Sequence, residues 1–110
     1  GIAQKIDGNY VRVYTENNDL LIGIASATLW EESNMRKDLK TVCLDNIYVL
    51  PAYRRKGVAT KLFAEVELWA KEQGATRLDL WTWDFNKNAI SMYQAMGMTP
   101  QRYAFEKKLY

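Results

Sequence analysis

Residues 41–63 read TVCLDNIYVLPAYRRKGVATKLF, and the succession of residue types in this stretch decides the architecture. Thr41 to Leu50 is rich in β-branched and aromatic residues and reads as a strand, which Pro51 ends because it has no N–H to donate to a ladder. Three cations, Arg54, Arg55 and Lys56, stand before Gly57. From Val58 to Gln73 the apolar residues Ala59, Leu62, Phe63, Val66, Trp69 and Ala70 recur at helical spacing, and Gly74 suits a left-handed cap. A strand, a short glycine loop and a helix make an anion site, because backbone N–H groups converge there and the helix dipole adds its positive end. The cations reinforce it, and two or three adjacent negative charges, as in a diphosphate, match such a potential. A solvated basic loop before an ordinary helix has the same letters. The stretch lacks the GK[ST] of a P-loop and the glycine spacing of a dinucleotide fingerprint.

Upstream, Tyr10 to Trp30 offers two β-rich runs around ENND, a turn-forming tetrad, and reads as an antiparallel hairpin. In its second run Leu20, Leu21, Ile22, Ile24, Ala25 and Ala27 are apolar on both faces, as in a strand covered on both sides. EESNMRKDLK (residues 31–40) is polar and loop-like. Downstream, RLDLWTW (residues 77–83) alternates as a strand, with Trp81 and Trp83 as sheet packing. Asn86 offers an N-cap for a second helix with Ala89, Ile90, Tyr93 and Met96 on one face, closed by Gly97. QRYAFEKKLY (residues 101–110) reads as a final strand. The expected fold class is α/β of the α+β kind: a mixed, mostly antiparallel sheet with a central parallel strand pair joined by a helical crossover. Residues 1–110 are expected to form a single domain, since 110 residues suffice for one thin core and no linker or repeat interrupts them.

Composition removes several classes of function. At 48% hydrophobic residues the chain is outside the disordered class. Fifteen basic against thirteen acidic residues leave +2, too little bulk charge for a nucleic-acid protein, so no nucleic-acid partner is expected. With no histidine and a single cysteine, Cys43, neither a His/Cys metal site nor a histidine-based triad is available, and no metal is expected. No apolar run approaches a membrane span, which gives a soluble, cytoplasmic chain with no membrane partner as the expectation.

The pattern Arg54-x-x-Gly57-x-Ala59, set between a strand and a helix, resembles the acetyl-CoA signature of the GNAT superfamily of N-acetyltransferases. A second match lies downstream, where Asn86-x-x-Ala89-x-x-x-Tyr93-x-x-x-Gly97-Met98 is close to the family's Asn, Ala, Tyr, Gly, Phe run, with methionine in the phenylalanine place. YAFEKKL (residues 103–109) also looks like the family's last strand. The resemblance implies acetyl-CoA as co-substrate, its diphosphate on Arg54, Arg55, Lys56, Gly57, Val58, Ala59 and Thr60, with Asn86 and Tyr93 also at the coenzyme. It places the pantetheine arm between two splayed parallel strands, against backbone groups of Ile47, Tyr48 and Val49 that would otherwise be unpaired.

The same resemblance implies direct attack of a small amine or peptide amine on the thioester. The Val49 N–H would hold the oxyanion, and Tyr93 would return a proton to the thiolate. A phenol near pKa 10 facing a thiolate near 8.5 is about 2 kcal/mol uphill, so transfer completes as the bond breaks. A tyrosine on the apolar face of a helix is otherwise a core residue. For the base, Asp45 shares strand parity with Ile47 and Val49, and Asp84 ends the neighbouring strand; Glu31 and Glu32 are remoter candidates. Family members usually place a strand and two helices before the region aligning at Tyr10, where this chain has nine residues. A homodimer with a composite acceptor site would supply the missing cover. The alternative is a non-catalytic CoA-binding module that assembles with a partner.

Overall fold

A computed structural model of the chain describes residues 2–31 and 40–110. They fall into two compact units, Gly1–Leu80 and Trp81–Tyr110. The first is a five-stranded sheet in the order β1(Ile2–Asp7), β2(Tyr10–Asn17), β3(Leu20–Glu31), β4(Lys40–Val49), β5(Arg77–Asp79). The first four strands pair antiparallel and β4 pairs parallel with β5, which is the mixed sheet expected. The crossover between the parallel strands is helix α1(Val58–Glu72), entered through a single 3-10 turn at Pro51–Tyr53.

The β2–β3 turn places Asn18 and Asp19 at φ of 51° and 64°, a left-handed pair that these two side chains tolerate by bonding locally. Strand β1 has no counterpart in the sequence reading. All six of its residues are exposed, so no burial alternation marks it. Asp7-Gly8, with Gly8 at φ 59°, is the turn that folds it against β2.

The core lies between one face of the sheet and α1. Val11, Val13, Ala25, Ala27, Leu29, Val42, Leu44 and Val49 are buried from the strands, and Leu62, Phe63, Val66, Trp69 and Ala70 from the helix. Gly23 lets the helix sit close, since a Cβ there would meet Leu62 Cδ1 and Val58 Cγ1 at 3.0 Å. The double cover expected for β3 holds in part. Ile22, Ala25, Ser26 and Ala27 are buried and Ile24 is half-buried, but Leu20 and Leu21, beside the hairpin turn, are exposed.

In the second unit helix α2(Lys87–Ala95) carries Ile90 and Tyr93, both half-buried, and none of its side chains is fully buried. Two expected strands are corrected. Within 77–83 only Arg77–Asp79 is strand, because pairing with β4 stops at Cys43 opposite Asp79, and Trp81 and Trp83 are exposed. The aromatic side chains contact each other instead, Trp81 edge-to-face with Trp83 at 5.9 Å between centroids and Trp83 stacked on Phe85 at 6.1 Å. Residues 101–110 form neither strand nor helix and are exposed throughout. Their alternation supplies a face, with Tyr103 and Phe105 stacked at 6.4 Å, but their own unit holds no strand to complete a ladder. No helix among the described residues is long and apolar enough to cross a membrane.

Candidate active site

The apolar residues of β4 change parity along the strand. Val42, Leu44, Ile47 and Val49 pair with Leu29, Ala27, Ala25 and Gly23, all on the face under α1. The register shifts opposite Ser26 and Ala27, so one residue of β4 is extra and the strand bulges at Asp45. This breaks the parity expected to join Asp45 with Ile47 and Val49. The Asp45 carboxylate lies with Thr28, whose Oγ1 donates to it at 2.6 Å, on the face away from α1.

A bulge bends its strand, and β4 parts from β5 directly before it. Leu50 donates its N–H to the Ile22 carbonyl at 2.8 Å. Because successive residues of an antiparallel ladder face opposite edges, the N–H and C=O of Val49, and those of Ile47 two residues earlier, point away from β3 toward the edge that β5 has left. Tyr48 faces β3. The Val49 carbonyl accepts from Arg54 Nε at 2.9 Å, which leaves the N–H of Val49 and both groups of Ile47 on the open edge.

Beyond the edge the chain reverses. Arg54 is extended, Arg55 is left-handed at φ 62°, and Gly57 at φ 80° is the N-cap of α1. A side chain at Gly57 would meet no atom within 4 Å, so glycine is there for its backbone conformation. Among the described residues no side chain caps α1, and its first turn holds no acidic residue, so the amides of Val58, Ala59 and Thr60 are offered to an outside acceptor. Arg55 and Lys56 stand exposed beside them, and Lys56 Nζ is 5.7 Å from the Tyr53 ring centroid. Uncapped amides, a dipole and adjacent cations fit a diphosphate. Among the described residues no group of carboxylates and thiols could hold a metal ion.

Three further candidates belong to the second unit. Asn86 heads α2 as expected, yet its side chain does not cap the helix; Nδ2 donates to Thr82 Oγ1 at 3.3 Å. Asp84 is exposed in the turn before it. Tyr93 is half-buried on α2, and burial raises its phenol above the ordinary 10, so it stays protonated at neutral pH. Of the remoter acids, Glu31 ends β3 and Glu32 lies outside the described residues. The reading from sequence missed Thr28, the partner of Asp45, and the engagement of Arg54 with the strand; the first was legible in the parity change of the apolar residues 42, 44, 47 and 49.

The chain is similar to known proteins. An aminoglycoside N(6')-acetyltransferase type 1 from Acinetobacter baumannii is 31% identical over 96 residues, 86% of this chain and 66% of the relative. A thialysine N-epsilon-acetyltransferase from Mus musculus is 36% identical over 58 residues, 53% of this chain and 34% of its own length. This chain therefore spans just under two thirds of the first relative and about one third of the second. The solved aminoglycoside N-acetyltransferase AAC(6')-Iy in complex with CoA superposes with a TM-score of 0.80 at 27% identity, covering 93% of this chain and 78% of that one. The Acetyltransferase (GNAT) family model matches residues 3–98, nearly the whole chain, and on that match the chain belongs to the GNAT family.

Proposed function

We propose that the chain transfers an acetyl group from acetyl-CoA to a primary amine. One observation carries this reading: the edge of β4 at Ile47 and Val49, unpaired among the described residues, is followed within a single reversing loop by the uncapped first turn of α1. The first suits an amide-bearing arm and the second a diphosphate, at the two ends of one continuous stretch. Family membership and the CoA-bound neighbour support it.

In the proposed reaction the amine nitrogen attacks the thioester carbon and the carbonyl becomes an oxyanion, which the Val49 N–H stabilises where charge develops. The C–S bond then breaks. Tyr93 gives its phenolic proton to the departing thiolate, and its raised pKa supports its presence as the phenol. The proton lost by the amine passes through a water to a carboxylate, for which Asp45 and Asp84 are equal candidates. Arg54, Arg55, Lys56, Gly57, Val58, Ala59 and Thr60 form the coenzyme loop, with Tyr48 under Arg54; Asn86 is a further candidate for the coenzyme. The relatives are named for aminoglycoside and thialysine, which supports a small cationic amine as acceptor. We assign the activity to residues 1–110 acting as one domain, in the cytoplasm, as a homodimer with a composite acceptor site.

Titration with CoA, followed by thiol release from acetyl-CoA across a panel of amines, tests the reading. CoA is expected to bind, and at least one amine to accelerate thiol release. Binding with no release above buffer would leave a CoA-binding module in place of an enzyme.

A further inference from the structure

We propose that Arg54 is a positioning residue: it latches the coenzyme loop to the thioester end of β4, and the charge for the diphosphate comes from Arg55 and Lys56. The proposal rests on the acetyl-CoA reading above. Three cations precede Gly57, yet one of them turns back. Arg54 Nε donates to the Val49 carbonyl at 2.9 Å, and its guanidinium carbon sits 5.3 Å from the Tyr48 ring centroid. The hydrogen bond fixes the plane of the guanidinium and the ring covers one of its faces. It also occupies the Nε side of the fork, one of the two edges that grip a phosphate with paired donors.

The loop needs such a tie. Arg55 holds a left-handed conformation that a non-glycine residue keeps only where the surroundings enforce it. The backbone bonds of this turn are Tyr53 N–H to the Leu50 carbonyl at 2.8 Å and Arg54 N–H to the Pro51 carbonyl at a long 3.3 Å. Neither reaches β4 itself. The Arg54 side chain does, joining the start of the left-handed turn to Val49, the residue whose N–H faces the open edge. Added to the packing of α1 on the sheet, this contact ties the left-handed turn itself to the residue that donates to the oxyanion.

Two substitutions separate position from charge. Arg54→Gln removes the charge, but its Nε2 falls at the same bond count from the backbone as the arginine Nε and keeps the donor. Arg54→Lys keeps the charge and puts a methylene at that place. If Arg54 positions, Gln binds CoA more tightly than Lys by about threefold to tenfold, the worth of one hydrogen bond. Turnover at saturating acetyl-CoA follows the same order, which a pure phosphate ligand would not produce because its loss appears in KM. Lys equal to or tighter than Gln, with turnover alike in both, overturns the latch. Melting curves confirm that both variants are folded at the assay temperature. A parent protein that fails to bind CoA removes the acetyl-CoA reading itself, a result distinct from either order of the variants.

Discussion

Helix α1 closes with Gly74 N–H on the Lys71 carbonyl and Ala75 N–H on Ala70, and α2 closes with Gly97 N–H on Gln94 and Met98 N–H on Tyr93. Both are the same doubly bonded glycine stop, with φ of 78° and 92° at the two glycines. Their beginnings share little. α1 follows a left-handed glycine flanked by cations and buries five side chains against the sheet, whereas α2 follows Asn86, which spends its amide on Thr82, and buries none fully. Stops of this kind are generic, set by the need to satisfy the last carbonyls. The specialised chemistry sits where each helix starts and along the face it presents.

The sharpest way to break this contrast is to truncate each helix's apolar face. Leu62→Ala removes a fully buried side chain from α1 and is expected to cost about 2–5 kcal/mol in urea unfolding. Ile90→Ala, half-buried on α2, is expected to cost about 1 kcal/mol. Equal losses would mean that α2 is as central to stability as α1.

Tyr93→Phe sharpens the role of α2. Turnover is expected to fall by about 100-fold, the lower range for a general acid, while CoA affinity measured by titration stays near that of the parent. The same variant has a signature in stability. Because burial raises the phenol's pKa in the folded state, the unfolded chain loses this proton first as pH climbs, and stability is lost above about 10, the ordinary phenol value. Alkaline melting curves of Tyr93→Phe are therefore expected to decline less steeply than those of the parent; identical curves would contradict the burial of Tyr93.

The smallest effects compare the glycines themselves. Gly57 and Gly97 are both left-handed with open space where a Cβ would go, so alanine at either is expected to cost about 1 kcal/mol of stability from backbone strain alone. Gly57→Ala is expected to weaken CoA binding about tenfold as well, because it shifts the amides of the first turn; Gly97→Ala is not. A matching loss of affinity at Gly97 would mean that strain spreads through the fold regardless of place.

Much of this was legible in the residues. Helical periodicity ran from Val58, the two stop glycines were plain, and the ENND turn fixed the hairpin, since each is a local preference of the chain. What stayed hidden depends on neighbours. Strand β1 is exposed along its length, so hydrophobic patterning is silent and only Asp7-Gly8 announces it. The strand expected at 101–110 has the right alternation but nothing in its unit to pair with. The cations of the coenzyme loop look interchangeable as letters. Only the fold shows that Arg54, exposed like Arg55 and Lys56, bends back to the Val49 carbonyl.

With its carbonyl engaged by Arg54, Val49 offers the open edge of β4 a donor alone, so the edge holds two N–H groups against one C=O. A bare strand from another molecule brings donors and acceptors in equal number and would leave one of these hydrogens dry, which makes the edge a poor seed for sheet-to-sheet aggregation. A guest with surplus carbonyls, such as a diamide ending in a thioester, suffers no such mismatch.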